Sequence, residues 1–402
     1  MLYTIHALPE HIPSYPGGSN ITCHDCNDSC FLYLITDTSK ESFMEYKETL
    51  AGCGFNLYDE HTIRDNYFAT YVTNEFLLHV YFTSHDRTTR IIVDKNTTLY
   101  QKEKHTTASP TQQTTLYQME LDFRTIDCGM CYITQCEDGS FFIIDSAHMN
   151  STNDHLRLYQ LLRSLTPSDH KIVIAGWFFS HAHQDHICKF MDFLEAGFAD
   201  CIIEGLYYNF PSLSAPGSEN WKAGDSDTIR EFFNLVENHS EIYKIKLHTG
   251  QHFFIRNLEF EVLATHEDLY PMPITRFNDS STILLMTVDG CRTLFLGDSN
   301  VAESTIAVAR YGAYMKSDIV QVAHHGYNGS NVGIYYCANA KVALYSAPKR
   351  RYMSDHGSEA NRTVHRISDE VYVAENGTVA LKLPYISNSA TVFPKEIPLE
   401  QI

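Results

Sequence analysis

The sequence predicts an α/β protein with helices packed outside its sheets, preceded by a small α+β domain. Three observations predict it. Strand-like and helix-like segments alternate from about residue 116 to Leu383, which argues for sheets flanked by helices. Residues 31 to 95 read instead as strand, helix and then several strands. Between the two patterns lies the polar stretch "KNTTLYQKEKHTTASPTQQTT", Lys95 to Thr115, which has the composition of a linker. The expected division is therefore 1–115 for the small domain with its linker and 116–402 for the larger one. A chain of 402 residues also exceeds what one hydrophobic core usually organises.

In the first part "FLYLIT" reads as a strand and the amphipathic "SKESFMEYKETLAG" as a helix stopped by Gly52 and Gly54. "YFATYVT", "FLLHVYFT" and "RIIVD" follow as strands. Ahead of them "CHDCNDSC" carries Cys23, Cys26 and Cys30 with His24. A structural zinc is one reading of it, but no second paired cluster follows, so a plain polar loop is the expectation. In the second part "YITQCED" and "SFFIIDSA" pair across Asp138 and Gly139 as a hairpin. A helix from about Asn153 to Leu165 and the apolar strand "KIVIAGWFFS" come next. The strands "FEVLA", "STILLMTV", "TLFLGD", "IVQVAHH" and "VALYSA", with helices after Ser299 and from Glu359 and a last strand pair around Gly377, complete the pattern. In "GLYYNFP", Tyr207, Tyr208 and Phe210 could wall a pocket, although aromatic clusters more often build core.

Apolar residues are 44% and charged residues 20%, which excludes a largely disordered chain. No apolar run reaches the roughly eighteen residues of a membrane helix, and the first residues lack a basic leader with an apolar block. The expectation is a cytoplasmic protein with no membrane partner. The eleven cysteines fit, most of them single within apolar segments, as Cys128, Cys131, Cys136 and Cys188 are. Net charge is −19, from 49 acidic against 30 basic residues, so the overall field repels polyanions and disfavours nonspecific nucleic-acid binding.

One stretch concentrates chemistry. "SHAHQDHICKF" places His181, His183, Asp185 and His186 within six positions. His181 and His183, two apart in an extended turn leaving a strand, can point at one ion. Asp185 and His186 fall at the start of a helical stretch and can face a neighbouring ion. Ions of the zinc type want about four donors or more, so others must come from elsewhere. Two later strand ends offer them, Asp298 in "TLFLGDSN" and His324 with His325 in "IVQVAHHGYNGS". Alone, an aspartate after a strand is usually a cap and a histidine pair a loop feature. Beside the first motif they read as ligands.

The series "FFIIDSA", "SHAHQDH", "LFLGDSN" and "VAHHGYNGS" resembles the metallo-β-lactamase superfamily, which implies an αββα sandwich with a dinuclear site at the sheet edges. The chain is also similar to the soluble domain of ComEC-type competence proteins, over roughly residues 118 to 385. That likeness lies in "LDFRTIDCGMCYITQCEDGSFFIIDSA", "FNDSSTILLM", the double histidine, the tail "ALYSAPKRRYMSDHGSEANRTVHRI" and "ENGTVALKL". Residue by residue, the resemblance makes His181 and His183 ligands of one metal, Asp185 and His186 of the other, and Asp298 the bridge. His325 is the implied last ligand, with His324 behind it. Asp145 resembles the family's buried aspartate that supports the histidine loop. Many members carry a further histidine about twenty residues before the bridge, whereas here that position falls in "FNDSS", around Asn278 and Asp279, as in ComEC-type proteins. Oxygen donors there tolerate manganese or magnesium, so the expected cofactors are two divalent ions, zinc or manganese. His266 in "LATHEDLYP" is an alternative donor, although a loop histidine is the commoner role.

The resemblance implies a metal-dependent hydrolase that uses a dinuclear-site hydroxide, with Asp185 also orienting the attack. His356, in "YMSDHGS", matches the tail motif and is expected to contact substrate or protonate the leaving group. Lys349, Arg350 and Arg351 form a dense basic triplet suited to phosphate oxygens, although a solvated turn is at least as common a role. The expected substrate is a phosphodiester or other phosphoester of nucleotide or nucleic-acid type, with the charge balance favouring a small molecule over long duplex DNA. The alternatives are a lactone, β-lactam, thioester or other ester, because fold does not decide chemistry, and a non-catalytic metal-binding or sensing module.

Overall fold

The computed structural model describes residues 1–402 apart from 1–2, 6–7, 28, 106–109, 328, 355–357 and 397–402. The described residues form three sheets. The first is antiparallel and contains β1 (Tyr3–Ile5), β2 (Ile21–Asn27), β3 (Cys30–Ile35), β4 (Asn56–Ile63), β5 (Asn66–Val72), β6 (Leu77–Thr83) and β7 (Thr88–Asp94), in the order β1-β2-β3-β7-β6-β5-β4. Strand alternation gives it two buried faces. Tyr33, Tyr71, Val80 and Ile91 pack on Phe43, Tyr46 and Leu50 of α1 (Lys40–Gly52), which Ser39 caps by accepting from the Ser42 amide. Leu32, Leu34, Phe68, Tyr81 and Ile92 alternate with them and join the core of the rest of the chain.

"CHDCNDSC" is not a plain loop, since its first residues belong to β2 and its last cysteine opens β3. Its polar residues mislead because the face they occupy is a buried polar seam, where His24, Cys26 and Cys30 are solvent-inaccessible.

The second sheet holds β8 (Thr115–Gln118), β9 (Tyr132–Gln135), β10 (Phe141–Ile144), β11 (Ile172–Phe178), β12 (Cys201–Ile203), β13 (Gly205–Tyr208) and β14 (Tyr243–Lys246). Between these strands come α2 (Asp154–Leu165), α3 (Gln184–Ala196) and α4 (Ala223–Glu237). The third sheet runs in chain order through β15 (His252–Ile255), β16 (Leu258–Ala264), β17 (Ile283–Val288), β18 (Cys291–Phe295), β19 (Ile319–Gln321), β20 (Val342–Tyr345) and β21 (Glu370–Val373). Its helices are α5 (Val301–Tyr311), α6 (Gly333–Ala338), α7 (Lys349–Tyr352) and α8 (Ser358–Ile367). The chain then returns through β22 (Val379–Lys382) and β23 (Thr391–Val392) to the second sheet beside β8.

The period-two pattern of the strands dictates the layering. Phe142, Ile144 and Phe178 of the second sheet meet Phe253, Phe260, Leu284 and Met286 of the third in a core that contains no helix residue. Phe142 and Phe260 touch across the two sheets with ring centroids 4.6 Å apart. The alternate residues Ile143, Ile174 and Trp177 face Leu158, Ile187, Phe190 and Phe232 of α2, α3 and α4. On the other side Leu285, Leu294 and Val320 share a core with Ala307, Tyr311, Ile334 and Val364 of α5, α6 and α8. The result is an αββα sandwich. Each of the larger apolar side chains contributes about 1.5–3 kcal/mol on burial, so both layers of packing are strongly specified.

The first sheet is tied to this sandwich by buried polar contacts as well as by its apolar face. The Arg310 guanidinium pairs with Asp268, which also accepts from Tyr81 and Thr249, while Arg90 donates to the carbonyls of Asp268 and Tyr270. The stretch after Lys95, expected as a linker, runs along the sandwich: Tyr100 is buried in the inter-sheet core, and the Gln101 carbonyl accepts from the Phe254 amide. Tyr207, Tyr208 and Phe210 likewise lie in the cores.

Candidate metal centre

The carboxyl ends of the central strands of both sheets converge on one cluster. β10 leads to Asp145, β11 to Ser180 through His183, β18 to Asp298 and β19 to His324 and His325. Gly297 makes the convergence possible. It sits at φ +54°, and a Cβ there would come within 3.0 Å of Ser180 Cβ, so a side chain would push the Asp298 turn off the histidine loop. His324 and His325 are both left-handed, at φ +51° and +52°, an arrangement that costs about 1–3 kcal/mol per residue and concentrates at functional sites.

Two donor groups share one carboxylate. Donor atoms of Asp185, His186, Asp298 and His325 lie within 4.8 Å of one another, as do those of His181, His183 and Asp298. His186 Nε2 is 3.3 Å from Asp298 Oδ1, and His325 Nε2 is 3.4 Å from Asp298 Oδ2 and 3.1 Å from Asp185 Oδ2. On the other side His181 Nε2 is 2.9 Å from His183 Nδ1 and 3.9 Å from Asp298 Oδ2.

The rings are held from behind. Asp145, fully buried, accepts from the Ser180 amide and hydroxyl at 2.8 Å each and from His186 Nδ1 at 2.8 Å. His325 Nδ1 donates to the Ser346 carbonyl at 3.0 Å. Asp225 Oδ1 lies 3.7 Å from His183 Nε2, the nitrogen away from His181. The hydrogen bonds to His186 and His325 fix the tautomer that turns the other ring nitrogen toward a metal.

The unsatisfied atoms test whether a metal fits. His186 Nε2, His325 Nε2 and Asp298 Oδ1 are buried with no hydrogen-bond partner, and leaving such atoms unpaired costs about 1–3 kcal/mol each. Burial alone would raise the Asp298 carboxyl, yet the imidazoles of His325, His186 and His324 hold it well below the usual carboxylate range. Burial opposes protonation of His325, but Asp298 and Asp185 push it up to about 9. His186 goes well above the ordinary value for the same reason, with Asp298, Asp145 and Asp185 outweighing burial. His181, burdened by burial and by His186 and His183, is driven well below it. The three carboxylates therefore draw positive charge into the cluster, and nitrogen, carboxylate and imidazole donors of this kind suit divalent zinc or manganese.

A cavity of ≈ 300 Å³ opens on the cluster. Asp185, Asp298, His183, His324 and His325 line it, and so do Lys222, Asp225, Asn278, Cys128, His148 and Tyr327. Asn278 Nδ2 is 3.0 Å from Asp298 Oδ2, whereas the neighbouring Asp279 is engaged by Asn300 Nδ2 at 2.8 Å and the Arg276 amide. His266 is fully buried away from this set, within the seam that holds Glu267. His356 lies outside the described residues. Of the basic triplet, Arg351 reaches the cavity wall indirectly. Its guanidinium stacks 3.4 Å above the Tyr327 ring, and it donates to Asp127, which accepts from the Tyr327 hydroxyl. Lys349 and Arg350 are not among the described lining residues. Sequence reasoning missed Asp225, His148, Lys222 and Tyr327. Asp225 carries an ordinary helix-start signature, with its carboxylate accepting from the Lys222 amide, and nothing in that pattern announces a metal site.

No family model and no curated protein sequence matches the chain. Among solved structures it is similar to the metallo-β-lactamase fold protein YhfI from Bacillus subtilis, at 12% identity and a TM-score of 0.40 over 65% of this chain and 96% of that one. It is also similar to CmlA, a diiron β-hydroxylase from Streptomyces venezuelae, at 12% identity and a TM-score of 0.40. That match covers 68% of this chain and 54% of CmlA, so the chain spans about half of that protein's length. A third is human tRNase Z, short form, at 12% identity and a TM-score of 0.35, covering 59% and 94%. At this distance the likenesses carry no functional weight, and the chemistry is read from the site itself.

Proposed function

We propose that this protein is a metal-dependent hydrolase of the metallo-β-lactamase type, with two divalent ions held by His181, His183, Asp185, His186, Asp298 and His325. The observation that carries the reading is the shared Asp298 carboxylate, which faces imidazoles on both sides and leaves Oδ1 without a partner. When bound, a pair of divalent ions would supply a strong nucleophile from water at neutral pH and absorb charge on the departing oxygen.

The chain's own groups do the rest. Asp145 and Ser346 hold the rings of His186 and His325 so that their free nitrogens face inward, Asp225 faces the outer nitrogen of His183, and Asp185, ionised beside His325, orients the attacking water. The substrate class is a phosphodiester or related phosphoester. Two things support it: the sequence likeness of residues 118 to 385 to ComEC-type domains, and the donors Lys222, Asn278 and His324 around the cavity, which suit anionic oxygens. Arg351 serves this substrate by bracing Tyr327 rather than by direct contact. Hydrolysis of bis(p-nitrophenyl) phosphate by protein loaded with manganese or zinc tests the reading. Turnover that disappears on combining Asp185→Ala with His186→Ala supports it. A metal-loaded protein that leaves this ester intact but opens lactones or thioesters would overturn the phosphoester assignment.

A further inference from the structure

The seam between the first sheet and the sandwich holds another set of metal-type donors, built from none of the residues above. Cys26 is the next-to-last residue of β2, Cys30 opens β3, and Glu267 lies in the short turn His266–Leu269 that follows β16. The β2/β3 pairing is irregular between Asp25 and Asn27, and both cysteines end on the face that packs against the sandwich. All three side chains are solvent-inaccessible, and their donor atoms lie within 4.8 Å of one another.

The charges around them bear on what the cluster holds. Glu267 Oε1 is 2.8 Å from His248 Nδ1, and Asp94 Oδ2 is 3.4 Å from both His248 Nε2 and Lys246 Nζ. Asp94 and Glu267 thus set two carboxylates against Lys246 and His248. Lys246 Nζ is nevertheless buried without a hydrogen-bond acceptor. Ionising the two thiols adds two negative charges, which one divalent cation neutralises, and it places thiolate sulfurs beside the ammonium. His266, next to Glu267 in sequence, is fully buried with both ring nitrogens unpartnered, but it is not among the donors gathered around the two cysteines.

We propose that Cys26, Cys30 and Glu267 bind a structural divalent cation of the zinc type, which fastens the first sheet to the sandwich. Two thiolates with a carboxylate form a sulfur-rich three-donor set that favours zinc over the harder ions suited to an oxygen-rich site. Metal binding displaces one proton from each thiol as the two sulfur–metal bonds form. The site lies at a sheet junction, across which the ion links strands of the first sheet to the turn after β16.

The test is cobalt substitution. Full-length protein carrying Cys128→Ser, which removes the thiol beside the dinuclear centre, is produced in cobalt-supplemented medium, and its near-ultraviolet absorption is recorded. The proposal predicts a thiolate-to-cobalt charge-transfer band that is lost in Cys26→Ser and Cys30→Ser, together with one metal ion per chain. Glu267→Gln, a milder change, should keep the fold and lower cobalt retention at least tenfold. A folded, cobalt-loaded protein with no thiolate band overturns the proposal, as does recovery of Cys26 and Cys30 as a disulfide. Either result leaves the hydrolase reading untouched, because the dinuclear centre uses no residue of this set.

Discussion

His186 is held between two carboxylates: its Nδ1 lies 2.8 Å from Asp145 Oδ2, and its Nε2 3.3 Å from Asp298 Oδ1. The first carboxylate fixes the tautomer, and in the proposed site the second would share its metal. Asp145→Asn keeps the left-handed backbone at φ +56°, which asparagine tolerates, but loses the anionic acceptor. The expected result is a folded protein whose metal affinity falls about 10–100-fold. Titration with a competing chelator measures it, and unchanged affinity would remove Asp145 from the account.

The two adjacent histidines should separate. His325 is buried, with Nδ1 on Ser346 and Nε2 free, whereas His324 is 26% exposed and its Nε2 is 3.8 Å from Asp298. His325→Ala is expected to lose one metal ion per chain, and His324→Ala to keep both ions while turnover falls about tenfold or more. Metal analysis beside steady-state kinetics decides, and loss of metal from the His324 variant alone would reverse the assignment.

Asp225 should act on one ion only. It sits 3.7 Å from His183 Nε2 and touches none of the other proposed ligands at a comparable distance among the described contacts. Asp225→Ala is expected to weaken the ion at His181 and His183 about tenfold, leaving the other in place. Two-step metal titration resolves the sites, and an equal loss at both would contradict this role.

Acid should loosen the seam. Burial lowers His24 to about 4, with Arg90 adding to the effect, and burial with the His248 charge lowers His79 to about 3. A folded pKa below the unfolded value of about 6.5 means that the unfolded chain binds more protons. The stability these neutral rings contribute is thus present above pH 6.5 and is lost as pH falls toward 4. His79→Asn should flatten this decline, as read from unfolding midpoints between those pH values. Parallel curves for the two proteins would refute it.

Breaking the buried pair of Arg310 and Asp268 should destabilise the fold by about 3–5 kcal/mol, because a buried charge loses its nearest partner and keeps only Asp86, 3.6 Å away. Asp268→Asn also weakens the acceptor used by Tyr81 and Thr249. Equilibrium urea unfolding gives the value, and a change below about 1 kcal/mol would mean the pair is hydrated.

Much of this architecture was legible in the sequence, and the reasons are specific. The strands of the sandwich are short apolar runs between turn signals, and the cluster from His181 to His186 stands out because its residues are contiguous. Asp298 and His325 could be attached to it because each follows an apolar strand. Other parts left no local mark. β2 carries polar residues because it faces a buried polar seam, so it read as a loop. α4 and its Asp225 were passed over, since a carboxylate in a first turn is ordinary capping chemistry. Glu267 lies 237 positions after Cys30, the difference between their numbers, and only the packing of the first sheet on the sandwich brings them together.

The most direct test of the account is anomalous diffraction from crystals of the zinc- or manganese-loaded protein, recorded at the metal's absorption edge. Two peaks flanking the Asp298 carboxylate, about 3.5–4 Å apart, are the predicted result. A single peak, or a pair that does not share Asp298, would contradict the two-ion site on which the proposed chemistry depends.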